Sequence, residues 1–252
     1  MITRDDLVSY LDDLLSCSQF QDYAPNGLQI EGRSSIQTIC TAVTASEAVI
    51  AEALNYGADA LIAHHGFFWR GEESVITGMR RRRIGQVIAG DLNLYAYHLP
   101  LDCHATLGNN ACLGQLLQLN AILSHDIGKT ANILWSGEFR EAMTAQMLIK
   151  QIGDALQQPP LHIAGTDKLI KRIAWCSGAA QDYIEDAQRL GVDAYLSGEI
   201  SERTYYQALE LNMHYFACGH HATERFGIQA LGTHLAKQFN LDHQFIDSMN
   251  PV

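Results

Sequence analysis

No two of the six cysteines stand at CxxC spacing, so neither a zinc ribbon nor a redox dithiol is supported. Cys17, Cys40, Cys103, Cys112, Cys176 and Cys218 read as free thiols in a chain long enough to fold without disulfide staples. Long apolar runs are missing too, and none approaches the roughly 20 residues that a membrane-crossing helix needs. The opening Met-Ile-Thr-Arg-Asp-Asp lacks the basic flank and apolar stretch of a secretion signal. These absences predict a soluble, cytoplasmic protein with no membrane partner. Basic side chains are also scarce: 17 Lys and Arg face 28 Asp and Glu, for a formal net charge of −11. A polyanion held over a broad surface requires clustered Lys and Arg, so nucleic acid is not an expected partner. There is no GxGxxG, Walker A loop or GxSxG elbow, which removes the usual signs of dinucleotide binding, P-loop chemistry and α/β-hydrolase catalysis.

What remains is a chain of 252 residues, 47% hydrophobic and 18% charged, enough for one large domain or two small ones. An internal repeat favours two. Ile39 to Gly66 reads ICTAVTASEAVIAEALNYGADALIAHHG, and 134 positions later Ile173 to Ile200 reads IAWCSGAAQDYIEDAQRLGVDAYLSGEI. Identities fall at Ile39/Ile173, Ala45/Ala179, Ile50/Ile184, Ala53/Ala187, Gly57/Gly191, Asp59/Asp193 and Ala60/Ala194. Each copy runs apolar strand, polar turn, amphipathic helix, glycine stop and short apolar strand, which predicts a βαβ unit with a parallel strand pair. Thr44 with Glu47 has capping-box spacing, and Gly178 with Gln181 repeats it. Val49, Ile50, Ala53 and Leu54 form a helical apolar face, and Gly57 and Gly191 suit the left-handed residue after a helix. A further strand completes each half, Leu92 to Tyr97 before His98 and His214 to Cys218 before Gly219. The expected fold is therefore α/β: two similar, duplicated lobes with mixed or parallel sheets. The first is expected to comprise residues 1–125 with 220–252, and the second 126–219.

Histidine is the unusual component, at 11 residues with several in tight groups. Open α/β sheets collect ligands beyond the carboxyl ends of their strands. The residues just past the predicted strand ends are His64 and His65, His98 with Asp102, Gly198 with Glu199, and His220 with Glu224. His220 and Glu224 stand four apart on one helical face that continues through Ile228, Leu231 and Leu235. A His and a carboxylate heading a buried stripe need partners, and a metal ion would satisfy both. His64, His65, Asp102, His220 and Glu224 offer only N and O donors and are too many for one tetrahedral structural zinc. They suit two divalent ions at the lobe interface, and zinc, iron, manganese and nickel all accept such donors. Plainer readings stand beside this. A single His near a strand end is more often a hydrogen-bonded structural residue, and His-x-x-x-Glu spacing recurs by chance. Arg80 to Arg83 could hold a phosphate or be a solvated helix face. Phe67, Phe68 and Trp69 could wall a substrate pocket or fill an interface, and Asp22 to Gly27 reads as a turn.

The segments DYAPNGLQIEG (22–32), VTAS (43–46), GADALIAHHGFFW (57–69), YHLPLD (97–102), GNNA (108–111), VDAYLSGE (192–199) and GHHATERFG (219–227) resemble the Nif-three-like family of GTP cyclohydrolase I type 2 homologues over nearly the whole chain. The resemblance implies a duplicated α/β fold, a two-metal centre and a ring-shaped homohexamer whose sites face an internal cavity. Carried over by position, the family's ligands fall on His64, His65, Asp102, His220 and Glu224, with His98 close by. Two functions follow as expectations. The first is a metal-dependent hydrolase acting on a small, nucleotide-like molecule, with His98 or Glu199 moving protons; ring opening or phosphoester hydrolysis would both be open to it. The second is a non-enzymatic metal-binding scaffold or regulator in which the ions stabilise the assembly.

Overall fold

Both copies of the repeat become strand–helix–strand units in a computed structural model that describes residues 1–252. The first consists of strand Thr38–Thr44, helix Glu47–Tyr56 and strand Ala60–His65. The second consists of strand Ile170–Cys176, the 3-10 turn Gln181–Tyr183 running into helix Ile184–Arg189, and strand Ala194–Ser197. Both strand pairs are parallel and share one register. Ile39 lies opposite Ala60, and Ile173 lies opposite Ala194, each 134 positions on. The third strand keeps step, since Ala60 faces Asn93 and Ala194 faces His214.

One carboxylate fixes that register in each copy. Asp59 Oδ2 accepts from the N–H groups of Gln37 (2.7 Å) and Thr38 (2.9 Å), while Asp193 Oδ2 accepts from those of Lys171 and Arg172, both at 2.9 Å. The aspartate backbone continues the ladder: the Asp59 N–H donates to Thr38 C=O and the Asp193 N–H to Arg172 C=O. The two Asp residues shared by the repeats thus hold the start of one strand against the start of the next. Gly57 (φ 81°) and Gly191 (φ 67°) take the expected left-handed conformation just before them. The helix cap lies two residues beyond its expected place. Thr44 stays in the strand opposite His65, and Ser46 caps instead, its side chain accepting from the Val49 N–H at 3.2 Å.

The chain divides into two units, Met1–Leu101 with Gly227–Ser248, and Asp102–Phe226 with Met249–Val252. The first holds a five-stranded sheet ordered Asp242–Phe245, Thr38–Thr44, Ala60–His65, Asn93–Ala96 and Gly27–Ile30. Its first four strands are parallel and the last is an antiparallel edge. Its core gathers Ile50, Ala53, Leu61, Val87 and Leu94, all fully buried. The second unit holds a six-stranded sheet ordered Asn120–Ile127, Thr130–Met143, Ile170–Cys176, Ala194–Ser197, His214–Ala217 and Leu161–Ala164. Three central parallel strands are flanked by antiparallel ones. Helix Ala145–Leu156 turns Leu148, Ile152 and Leu156, spaced four apart, into this core around Trp175.

Where the sequence suggested a first boundary near 125, the division falls after Leu101, because the hairpin Asn120–Ile127/Thr130–Met143 extends the second sheet through Ile170–Cys176. The second division falls after Phe226, within helix His220–Phe239. All six cysteines are free, and no helix is long and apolar enough to cross a membrane.

Because each repeat Asp satisfies two strand-end N–H groups, Asp59→Ala and Asp193→Ala should each lower unfolding stability by about 2 kcal/mol. Urea unfolding of the intact chain checks this; unchanged midpoints would show that the two carboxylates do not hold the register.

Candidate metal centre

Parallel pairing delivers the side chains at the strand ends to one rim of each sheet. In the first unit, strand Ala60–His65 ends on the histidine pair, and His98 follows two residues after the end of strand Asn93–Ala96. The ligating atoms of His64, His65 and His98 all lie within 4.8 Å of one another, a grouping able to hold a metal ion. Ring centroids are 4.6 Å apart for His64 and His65 and 5.2 Å apart for His64 and His98.

Two of these rings have their tautomer dictated by acceptor-only partners. His64, fully buried, places Nδ1 2.9 Å from the Tyr97 carbonyl, so Nδ1 carries the proton and Nε2 is left as the electron-pair donor when the ring is neutral. His98 Nδ1 donates to Asp22 Oδ1 at 2.7 Å, with the same consequence. Histidines that bind metals are oriented in just this way, by a carbonyl or carboxylate on the far nitrogen. His65 Nδ1 lies 3.2 Å from Thr44 Oγ1, its partner across the parallel pair.

Asp22 is a residue that spacing alone did not mark. Read as part of a turn and of one segment of the family resemblance, it is the buried clamp on His98. Its Oδ1 also accepts the Tyr23 N–H, and its Oδ2 accepts Asn26 Nδ2 (2.9 Å) and the Leu99 N–H (3.0 Å). Burial raises its pKa, but the hydrogen bonds from His98, Asn26 and Tyr23 outweigh that and hold the carboxyl below its ordinary value. Asn26 Oδ1 accepts the His98 N–H at 2.7 Å, so the turn grips both backbone and ring. Gln29 plays the same part beyond the histidine pair: its Oε1 accepts the Phe67 N–H at 2.6 Å, and its Nε2 donates to the carbonyls of Phe67 (3.0 Å) and Pro25 (2.9 Å). The aromatic run separates accordingly. Phe67 enters the core, Phe68 is 37% exposed at φ 66°, and Trp69 packs edge-on to His98 with centroids 5.0 Å apart.

The second unit carries its own cluster. Glu199 follows strand Ala194–Ser197 at the repeat position of His65. His220 opens helix His220–Phe239, with Nδ1 2.6 Å from Glu199 Oε1 and Nε2 3.2 Å from Glu224 Oε2. Glu224 is buried. Gly178, at φ 65°, lets the loop after strand Ile170–Cys176 pass against this carboxylate and His220, a space that any Cβ would fill. Its N–H also donates to Thr223 Oγ1 at 3.1 Å. One residue earlier, Ser177 Oγ donates to Asp102 Oδ1 (2.9 Å), which also accepts Asn109 Nδ2 (2.8 Å). Asn110 ties down the same loop by accepting the Ser177 N–H at 2.8 Å. Asn109, Asn110 and Ser177 entered the sequence reading, if at all, only as part of a family motif; their amide and hydroxyl types say nothing about position until the loop brings them to Asp102. The buried thiol of Cys176 is raised well above its ordinary pKa by burial and then by Asp102 and other nearby acids.

Burial lowers the pKa of His220, but the hydrogen bonds and charges of Glu224 and Glu199 more than reverse this and raise it to about 9. A histidine whose folded pKa lies above its ordinary 6.5 adds stability that is complete below pH 6.5 and is lost as pH rises through about 9. For chelator-treated protein, an NMR titration should therefore place the His220 ring near 9, and Glu199→Gln should lower it. A midpoint near 6.5 in both would contradict the pairing.

Among known families, the model of Duf34/NIF3 (NGG1p interacting factor 3) matches residues 2–251. A Vibrio cholerae protein called GTP cyclohydrolase 1 type 2 homolog is 50% identical over 248 residues, covering 98% of both chains. Among solved structures, the protein ybgI superposes with a TM-score of 0.95 at 42% identity over the whole of both chains. A Thermus thermophilus protein superposes with a TM-score of 0.91 at 32% identity, again over all of both chains.

Proposed function

This chain belongs to the Duf34/NIF3 family, and from that premise we propose that it is a metal-dependent hydrolase with a two-metal centre acting on a small, nucleotide-like substrate. The observation that carries the reading is the pair of oriented imidazoles, fully buried His64 and part-buried His98, each with Nδ1 committed to an acceptor so that the lone pair of the neutral ring sits on Nε2. The donor set fits divalent ions. His64, His65, Asp102, His220 and Glu224 would hold them, and zinc, iron, manganese or nickel would all accept this mixture of imidazole and carboxylate. Two bound ions would supply Lewis acidity, lowering the pKa of water and polarising the bond under attack.

The remaining residues position and exclude. The Tyr97 carbonyl and Asp22 fix the rings of His64 and His98. Glu199, which the sequence suggested as a proton carrier, spends its Oε1 on His220 and orients that ring, and His98 joins the ligand cluster with its Nδ1 proton held by Asp22. Asn109 and Ser177 donate to Asp102 and fix its orientation. Trp69, against His98 and His65, walls this side from solvent. A ring-shaped homohexamer belongs to the same proposal and is supported by the family resemblance. The relatives' shared name is what favours nucleotide chemistry.

The test is metal content with turnover. Purified protein given divalent ions should bind about two per chain and hydrolyse a member of a nucleotide panel, and His64→Ala should lose both metal and at least a hundredfold in kcat/KM. A fully loaded protein inert toward the panel would overturn the hydrolase. If chelation then also melted or dissociated the protein, the metal-stabilised scaffold would take its place.

A further inference from the structure

The basic run at Arg80 to Arg83 does not act as one patch. It lies in helix Gly78–Ala89, whose Ile84 and Val87 are buried, and a helix places residues 80 and 83 on one face and 81 and 82 on others. Arg82 Nε is taken by Glu47 at 2.9 Å, and Arg81 is exposed. Arg80 and Arg83 instead line a cavity of about 100 Å³ together with Thr44, His65, Trp69 and Glu72.

The same two side chains each keep a buried donor, Arg80 Nη1 and Arg83 Nε, with no hydrogen-bond partner. Guanidinium N–H groups cannot be neutralised, and a buried charged donor without an acceptor is costly. Glu72 answers only part of this: its Oε2 stands 3.8 Å from Arg80 Nη2 and is already taken up by the Trp69 N–H at 3.2 Å. Two cations against one carboxylate leave the cavity net positive, in a protein whose formal charge is −11. Its volume holds about three waters, or one compact tetrahedral oxyanion. His65 lines the cavity and also belongs to the histidine cluster, so a group bound here lies next to the candidate centre.

We propose that this cavity is an anion subsite in which Arg80 and Arg83 grip the phosphate group of a phosphorylated substrate whose remaining part extends past His65 and Trp69. The proposal rests on the hydrolase reading for its placing of the reacting end and on the two orphaned guanidinium donors for the anion. Forked donors of this kind suit phosphate oxygens, and the aromatic wall of Trp69 suits a flat ring beside them.

The experiment is calorimetric titration of the whole protein, chelator-treated so that metals cannot hold the anion. The probes are inorganic phosphate, guanosine and guanosine 5′-monophosphate. Phosphate and the monophosphate should bind and guanosine should bind at least tenfold more weakly than its monophosphate. Arg80→Gln and Arg83→Gln should each weaken the monophosphate about tenfold. Arg81→Gln, on the exposed face, should leave it unchanged. Arg83→Lys, which keeps the charge but loses the fork, should fall between, and unaltered thermal unfolding would establish that the variants are folded. No binding to the chelated wild type, or equal losses from Arg81→Gln and Arg83→Gln, would overturn the subsite. Phosphate binding that tracks the two arginines in a protein with no turnover would uphold the subsite while the hydrolase falls. Turnover with unchanged KM in both arginine variants would do the reverse.

Discussion

Parallel strand pairing is the constraint from which the site follows. In a parallel sheet all strands end at the same rim, so any polar residue just beyond a strand is carried there without further design. The pairing of Thr44 with His65 and of Ala63 with Ala96 fixes how far each strand reaches. A slip of one residue would exchange the faces on which the imidazoles stand. The register is held at the far end of the strands by Asp59 and Asp193, and both chemistry-bearing rims inherit their alignment from those carboxylates.

Buried polar side chains at such a rim need partners, and this protein supplies them in layers. His64 is fully buried, yet its Nδ1 proton has the Tyr97 carbonyl. Asp22 and Asp102 are buried carboxylates, and each is surrounded by donors rather than by apolar groups. Donors that fix a carboxylate and acceptors that hold an imidazole in one tautomer set the direction in which each group offers its lone pairs. A carbonyl on the far nitrogen is not confined to the cluster, since His214 has one in Lys168 and turns its other nitrogen to His162; what sets His64, His65 and His98 apart is that their ligating atoms also converge.

Much of the fold was legible in the chain. The repeat marked both βαβ units because strand and helix periodicities, glycine stops and the recurring Asp all fell at one offset, and a duplicated register needs that consistency. The sheet around Asn120–Ile127 and Thr130–Met143 was harder to read: its exposed edge strand mixes polar and apolar residues, so burial does not impose a clean alternation. The candidate ligands were legible by type and by position after strands. The residues that aim them were not. Asp22 and Asn26 look like turn formers because they are turn formers, and their second function depends on His98, 76 residues away in sequence for Asp22. Gln29, Asn109 and Ser177 carry no periodic signal at all; only the folded chain gives them partners, Gln29 from a strand and Asn109 from the start of a helix. The basic run was open to two readings, a phosphate grip or a solvated helix face, and the helix divides it: Arg81 and Arg82 stay exposed while Arg80 and Arg83 turn inward.

Whether nitrogen and oxygen donors from these clusters surround two ions is tested most directly by X-ray absorption at the metal edge of fully loaded protein. Imidazole and carboxylate scattering, with no sulfur shell and a metal–metal distance of about 3.5–4 Å, is the predicted result. Sulfur ligation, or a spectrum with only water oxygens and no second metal, would contradict it.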